Sequence, residues 1–151
     1  MSLFNGFNIS ASGLTANRMR MDVVSSNIAN ANTTRSQLVN GEWVPYRRKS
    51  VELSQSGVSP FQQQLQSAMN NQSSKVSGVT VSKIDEDKAP FTLSYDPSHS
   101  DADENGYVRL PNVDPIKEMV DLMSATRSYE ANITALNASK NMFIKALEIG
   151  K

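Results

Sequence analysis

The sequence predicts an α+β fold: long N- and C-terminal helices pairing as an α-helical coiled-coil domain, with a small β-rich middle domain. Three observations predict it. All six prolines fall between Pro45 and Pro115, leaving the first 44 and the last 36 residues free of the strongest helix breaker. Both proline-free ends carry apolar residues at intervals of seven. The stretch between them alternates with a period of two and is punctuated by Asn-Gly pairs. The expected boundaries are 1–34 for the N-terminal helix, 35–110 for the β-rich middle with a mobile loop over 54–75, and 111–151 for the C-terminal helix.

The N-terminal segment repeats Phe7, Leu14, Met21 and Ile28. A second line, offset by three, reads Ser10, Asn17, Val24 and Ala31 and is half polar. The apolar stripe is therefore narrow. Asn and Ser are mediocre helix formers, so this helix is marginal alone in water. A helix of about 30 residues spans about 45 Å, more than a compact domain of this size needs.

The C-terminal segment is cleaner. Asp114 reads as the N-cap and Pro115 takes the favoured first helical position. Met119, Thr126, Ile133, Lys140 and Leu147 repeat every seven, as do Leu122, Tyr129, Leu136 and Phe143. Gly150 marks a natural stop.

In the middle, Asn40-Gly41 lies within Gln37 to Leu53 and is the strongest short hairpin signal. Val79–Val81 and Phe91–Tyr95 alternate as strands, and Asn105-Gly106 leads into the strand Tyr107–Leu110. Ser54 to Lys75 holds six Ser and six Gln among 22 residues and reads as the loop. Phe61, Leu65 and Met69 are spaced for a short amphipathic turn inside it.

Composition bounds the chemistry. Fifteen basic and fifteen acidic side chains cancel, which argues against an electrostatically driven binder of nucleic acid or anionic membranes. There is no cysteine, hence no disulfide, thiol or Cys-rich zinc chemistry. No run of about 18 apolar residues reads as a membrane span, so no direct lipid insertion is expected. Asn5, Gly6, Asn8 and Ser10 interrupt any signal-peptide core, so export would use another route. Ser, Asn, Gln and Thr number 21, 14, 7 and 7, about a third of the 151 residues. So polar a chain suggests an elongated protein whose burial is completed by something else.

Asp101, Asp103, Asn105, Gly106 and Val108 match the first half of a calcium-binding EF-hand loop. The second half fails: Arg109 stands at the ninth position and Asn112, not Glu, at the twelfth. A tight Asx turn is the plainer reading. His99, the only histidine, lies in a polar loop and reads as a surface or packing residue. Arg47-Arg48-Lys49 reads as a solvated strand edge, and Trp43 as core of the β unit. Nothing places a catalytic constellation, and no cofactor is expected. A calcium-dependent binding module and a wall-cleaving enzyme remain the alternatives from other classes.

The two ends also carry recognisable stretches. Ser25-Ser26-Asn27-Ile28-Ala29-Asn30-Ala31-Asn32-Thr33-Thr34 resembles the N-terminal signature of the bacterial flagellar rod, hook and filament axial proteins. Ser124-Ala125-Thr126-Arg127-Ser128-Tyr129-Glu130-Ala131-Asn132-Ile133 resembles its C-terminal counterpart. The short length, Asp101–Val108 and Pro111–Asp114 are similar to the basal-body rod members of the proximal rod.

The resemblance implies a structural, non-enzymatic subunit of the basal body that builds the axial drive shaft and export channel for motility. It implies export by the flagellar type III apparatus. Its implied partners are copies of itself, other rod proteins, and the membrane-ring and export-gate proteins at the rod base. It carries no catalytic residue. The implied assembly interface comprises Leu14, Met21, Asn27, Ile28 and Asn30 on the first helix. On the second it comprises Met119, Leu122, Tyr129, Asn132, Ile133, Leu136, Phe143 and Leu147.

Overall fold

A computed structural model describes residues 4–56, 64, 65, 68 and 77–149. The described residues include two long helices and three antiparallel ribbons: α1 (Phe4–Ala29), β1 (Gln37–Val39), β2 (Glu42–Val44), β3 (Lys49–Gln55), β4 (Val79–Glu86), β5 (Thr92–Tyr95), β6 (Tyr107–Leu110) and α2 (Pro115–Ile149). None of the described helices is long and apolar enough to cross a membrane. The α+β class is as the sequence predicts.

α1 ends at Ala29, so 30–34 lie outside the helix, 30–32 as turn. The Asn-rich sequence explains the stop. The Asn30 side chain donates to the Ser26 carbonyl at 2.9 Å, and its backbone N–H donates to the same oxygen at 3.1 Å. Asn competes for local backbone groups in this way and caps rather than extends a helix. α2 starts as expected: Asp114 Oδ1 accepts from the Ile116 N–H at 3.0 Å and the Lys117 N–H at 3.4 Å. Pro115 opens the first turn, where its missing N–H costs nothing.

The ribbons form where the turn residues dictate. Asn40 (φ 53°) and Gly41 (φ 90°) place both central residues of the β1–β2 turn in the left-handed region, and Leu38 faces Trp43 across the strands. β5 and β6 pair with Tyr95 opposite Tyr107, whose rings meet edge to face at 5.3 Å. β3 pairs with β4, and β3 carries Ser54 and Gln55 into the segment read as loop. Of the residues proposed for an amphipathic turn, only Leu65 is described, and it is helical; Phe61 and Met69, like most of 54–75, lie outside the described residues.

Each described sheet has only two strands, which corrects two expectations. Trp43 is 54% exposed and not core, because a two-stranded ribbon has no width to bury it. Arg47, Arg48 and Lys49 are not a solvated edge. Arg47 lies over the Phe91 ring at 4.4 Å, Lys49 over Tyr46 at 5.7 Å, and Arg48 pairs with Glu118.

Two compact units are present. One comprises 1–19, 52–83 and 126–151; the other comprises 20–51 and 84–125. They are called the outer and inner unit below, after the portions of α1 and α2 each contains. The inner unit buries Val23, Val24, Tyr46, Val108 and Ala125 together with Asn27 and Glu118. Among its described residues the outer unit buries Ser10 and Ala16.

Candidate assembly interface

The inner unit is organised around one side chain. Asn27 is fully buried and spends its whole hydrogen-bonding capacity across the fold rather than along its helix. Its Nδ2 donates to the Lys49 carbonyl and to Glu118 Oε2, each at 2.8 Å. Its Oδ1 accepts from the Lys49 N–H at 2.9 Å and from the Tyr46 hydroxyl at 3.0 Å. One amide thus joins α1, the start of β3 and α2.

Glu118 is the other pole. It too is fully buried, and Arg48 Nε donates to its Oε1 at 2.6 Å. Arg48 Nη2 also lies 3.5 Å from Asp121 Oδ2. The Arg48 backbone is held as well: its N–H donates to Asn112 Oδ1 at 2.8 Å and its carbonyl accepts from the Asp87 N–H at 2.8 Å. Asn112 Nδ2 reaches the Asp87 and Ala89 carbonyls, both at 3.3 Å. A buried carboxylate is tolerated only when each oxygen has a partner, and here both do. Among the described residues no buried side-chain polar atom lacks a partner.

A second tie fixes the end of the N-terminal signature. Thr34 Oγ1 donates to Asp101 Oδ2 at 2.7 Å, and Arg35 Nε donates to Oδ1 at 2.7 Å while its Nη2 also bonds Oδ1. The Arg35 guanidinium, followed by the Thr34 hydroxyl, holds the Asp101 carboxyl below its ordinary value of 3.8. His99 is exposed, and its Nδ1 accepts from the Asp101 N–H at 3.1 Å.

The carboxylates of Asp101 and Asp103 in the EF-hand-like loop are engaged within the chain. Asp101 serves Thr34 and Arg35. Asp103 Oδ1 accepts from the Asn105 N–H at 3.1 Å and the Tyr107 N–H at 2.9 Å. Gly106 sits at φ +78°, and its N–H donates to the Asp103 carbonyl at 2.9 Å. Asp103 turns toward its own backbone, as in an Asx turn. Among the described residues no three His, Cys, Asp or Glu side chains are grouped to hold a metal.

In the outer unit the helices approach closely at Gly13. A Cβ there would lie 3.0 Å from Asn132 Nδ2. Ser12 Oγ accepts from the Val79 N–H at 3.1 Å and donates to the Ile9 carbonyl at 2.7 Å. Gly78 leaves room for that hydroxyl, since a Cβ would press on Ser12.

The candidate interface residues fall into two groups. Asn27 is buried, and Leu14, Met21, Ile28, Asn30, Leu122, Tyr129, Asn132, Leu136 and Phe143 are partly buried. Met119, Ile133 and Leu147 face outward, Leu147 being 76% exposed. The shielded lines of α2 are Leu122, Tyr129, Leu136, Phe143 and, offset by three, Glu118, Ala125, Asn132, Ser139. The second line escaped an apolar pattern search because it reads Glu, Ala, Asn and Ser. Sequence reasoning also missed Tyr46, Arg48, Asn112 and Gly13. A Glu one residue from an apolar repeat, and an Arg-Lys pair at a strand start, were the available signals.

Outward from these lines, Ile116, Met119, Val120 and Met123 form an exposed apolar stripe at i, i+3, i+4 and i+7. The first turns of α2 therefore carry an exposed apolar face besides the face that holds Glu118 and Ala125. Such a helix is ordinarily covered on both sides.

Two family models match this chain: one described as flagella basal body rod protein over residues 7–36, and one described as flagellar basal body rod FlgEFG protein C-terminal over residues 104–149. They contain the two poles of the buried network, Asn27 and Glu118. A flagellar basal-body rod protein FlgC of Bacillus subtilis is 61% identical over 151 residues, covering all of both chains. FlgC of Borreliella burgdorferi is 43% identical over 99% of this chain and 98% of its own. FlgC of Salmonella typhimurium is 40% identical over the whole of both. With full-length relatives at this identity and both signature regions matched, the chain belongs to the flagellar basal-body rod protein family, among its FlgC-type members.

Proposed function

We propose that this chain is a structural subunit of the proximal rod of the bacterial flagellar basal body, held in the drive shaft by its two terminal helices. The single observation that carries the reading beyond the family likeness is the stripe Ile116, Met119, Val120 and Met123. It is apolar, exposed and set opposite the shielded line of the same helix. Fully burying a side chain of this size contributes about 1.5–3 kcal/mol. Four in a row represent a large association energy held ready for another chain. Its coverers are copies of this chain and other rod subunits. Membrane-ring and export-gate proteins meet the subunit at the rod base.

In this reading the paired helices form a coiled-coil layer around the export channel. The ribbons face outward, and the job is mechanical, with no catalysis and no cofactor. The same reading has the chain pass through the flagellar type III apparatus unfolded. The test is Val120→Glu together with Met123→Glu in a strain that lacks its own copy. Neither side chain belongs to the buried network, so the variant should fold and be exported yet fail to enter basal bodies, leaving cells non-motile. Motile cells with normal basal bodies would overturn the proposal.

A further inference from the structure

We propose that the exposed stripe of α2 on one copy of the chain seats on an aromatic face of the ribbons on the next copy. Subunits then add head to tail through two different patches of the inner unit. This deepens the rod-subunit reading and rests on it, because that reading supplies the neighbouring copy.

The receiving face is built by two ribbons. Val108 of β6 is buried, so Tyr107 and Arg109 point to the opposite side, with Tyr95 and Leu93 as their cross-strand partners. All four are exposed. Tyr107 and Arg109 also wall a cleft of about 260 Å³ together with Glu42, Trp43, Pro45 and Asp103. The cleft thus joins the outward side of β5–β6 to Trp43 on β2, and it is roomy enough to take an aliphatic side chain. Trp, Tyr and Arg are the side chains that carry most of the binding energy at protein interfaces. Here they stand together and exposed.

Charge decides what the face accepts. Asp101, also in the cleft wall, is taken by Arg35. That leaves Glu42 and Asp103 against Arg109, one more carboxylate than cations. The surface that matches is the stripe Ile116, Met119, Val120 and Met123. Within Pro115–Met123 the two carboxylates, Glu118 and Asp121, are both drawn to Arg48. Lys117, a helical neighbour of Val120 at i, i+3, is exposed. The stripe therefore presents aliphatic and methionine side chains with a cation on its flank. Methionine suits an aromatic partner, because its flexible, polarizable thioether makes favourable contacts with ring edges. Among the described residues Lys117, Glu42 and Arg109 make no ion pair within the chain.

The same facts select a second copy as the occupant. Both patches belong to one compact unit and both are exposed in it, so neither covers the other within a chain. Stripe against stripe would set Lys117 near Lys117, whereas stripe against cleft sets Lys117 near Glu42. A contact between two different patches is heterologous. Each added copy leaves one patch of each kind open, and the series continues as a helix unless the rotation closes it.

Cross-linking in purified basal bodies tests this. Lys117→Cys and Glu42→Cys leave the apolar side chains of both patches in place and lie outside the buried network. The chain has no other cysteine. With a short bismaleimide, the doubly substituted chain should give dimers and longer ladders made of this chain alone. Two singly substituted chains expressed together should give a dimer, and either alone should give none. Self-linked dimers from either single variant would overturn the proposal. So would no product, or products that join the double variant only to another rod or ring protein. Charge reversal gives an independent reading. Lys117→Glu and Glu42→Lys should each lower the amount of this chain in basal bodies by about tenfold, and the two together should restore it to within about twofold. A combined variant no better than the single ones would also sink the contact. Wild-type chain missing from basal bodies would count against the rod-subunit reading itself. Wild-type chain present, with links only to other proteins, would remove the head-to-tail contact and leave that reading standing.

Discussion

Asn27 Nδ2 lies 2.8 Å from Glu118 Oε2, and the two fully buried side chains come from positions 91 residues apart. One belongs to the N-terminal family match and the other to the C-terminal one. Their contact ties the two ends of the chain through a hydrogen bond whose acceptor is also held by Arg48.

Asn27→Asp should be the most damaging conservative change. It removes the Nδ2 donor and sets a second carboxyl against Glu118. Breaking a buried ionic network in this way costs about 3–5 kcal/mol. Glu118→Gln keeps the shape but turns one of its two accepted bonds into a donor facing a donor, for about 1–3 kcal/mol. Urea unfolding followed by tryptophan fluorescence measures both. Equal losses for the two variants would contradict the ordering.

Gly106→Ala should cost more than Gly41→Ala. Both glycines have positive φ, 78° and 90°. A left-handed conformation costs an L-residue about 1–2 kcal/mol at either site. At Gly106 the added Cβ also lies 3.1 Å from the Tyr95 ring and 3.2 Å from Pro97, whereas at Gly41 nothing lies within 4 Å. Thermal melts of the two variants should differ in that order.

Acid should release the Asp101 tie. Its folded carboxyl sits below its ordinary value of 3.8. The contribution is therefore fully present above the unfolded value and is lost as pH falls through the folded one. Asp101 is near the surface, so the effect is small and weakened by salt. Wild type should lose its stability advantage over Asp101→Asn as pH falls below about 4. An advantage that grows toward acid would contradict the sign.

Calcium at millimolar concentration should give no heat in calorimetry with wild type or with Asp103→Ala. Both Asp101 oxygens already serve Thr34 and Arg35, and Asp103 Oδ1 serves the loop's own backbone. A saturable heat lost in Asp103→Ala would revive the calcium-module alternative.

Much of this architecture was legible in the sequence, for physical reasons that can be named. Pro45 to Pro115 bracketed the helices because proline acts locally. Asn40-Gly41 located a hairpin, and Asn105-Gly106 the turn into β6, because left-handed turn positions admit few residues. Asp114-Pro115 marked the helix start because capping is a contact within one turn. The network was not legible. Asn27 stood in a recognisable signature, but its partners Lys49, Tyr46 and Glu118 are joined to it only by tertiary folding. Periodicity also favoured Met119, the apolar neighbour, over Glu118, because hydrophobic patterns cannot see a buried charge that has been paid for by partners. Trp43 failed for the converse reason: a large apolar side chain implies a cover, but not that the same chain supplies it.

The central claim is that the exposed stripe of α2, Ile116, Met119, Val120 and Met123, is covered by neighbouring chains. The absence of native cysteine allows a direct measurement. Met123, 60% exposed in the single chain, is replaced by Cys and its reaction with a maleimide is compared in the free chain and in purified basal bodies. The account predicts rapid labelling of the free chain and strong protection in the basal body. Equally rapid labelling of Met123→Cys in intact basal bodies would contradict it.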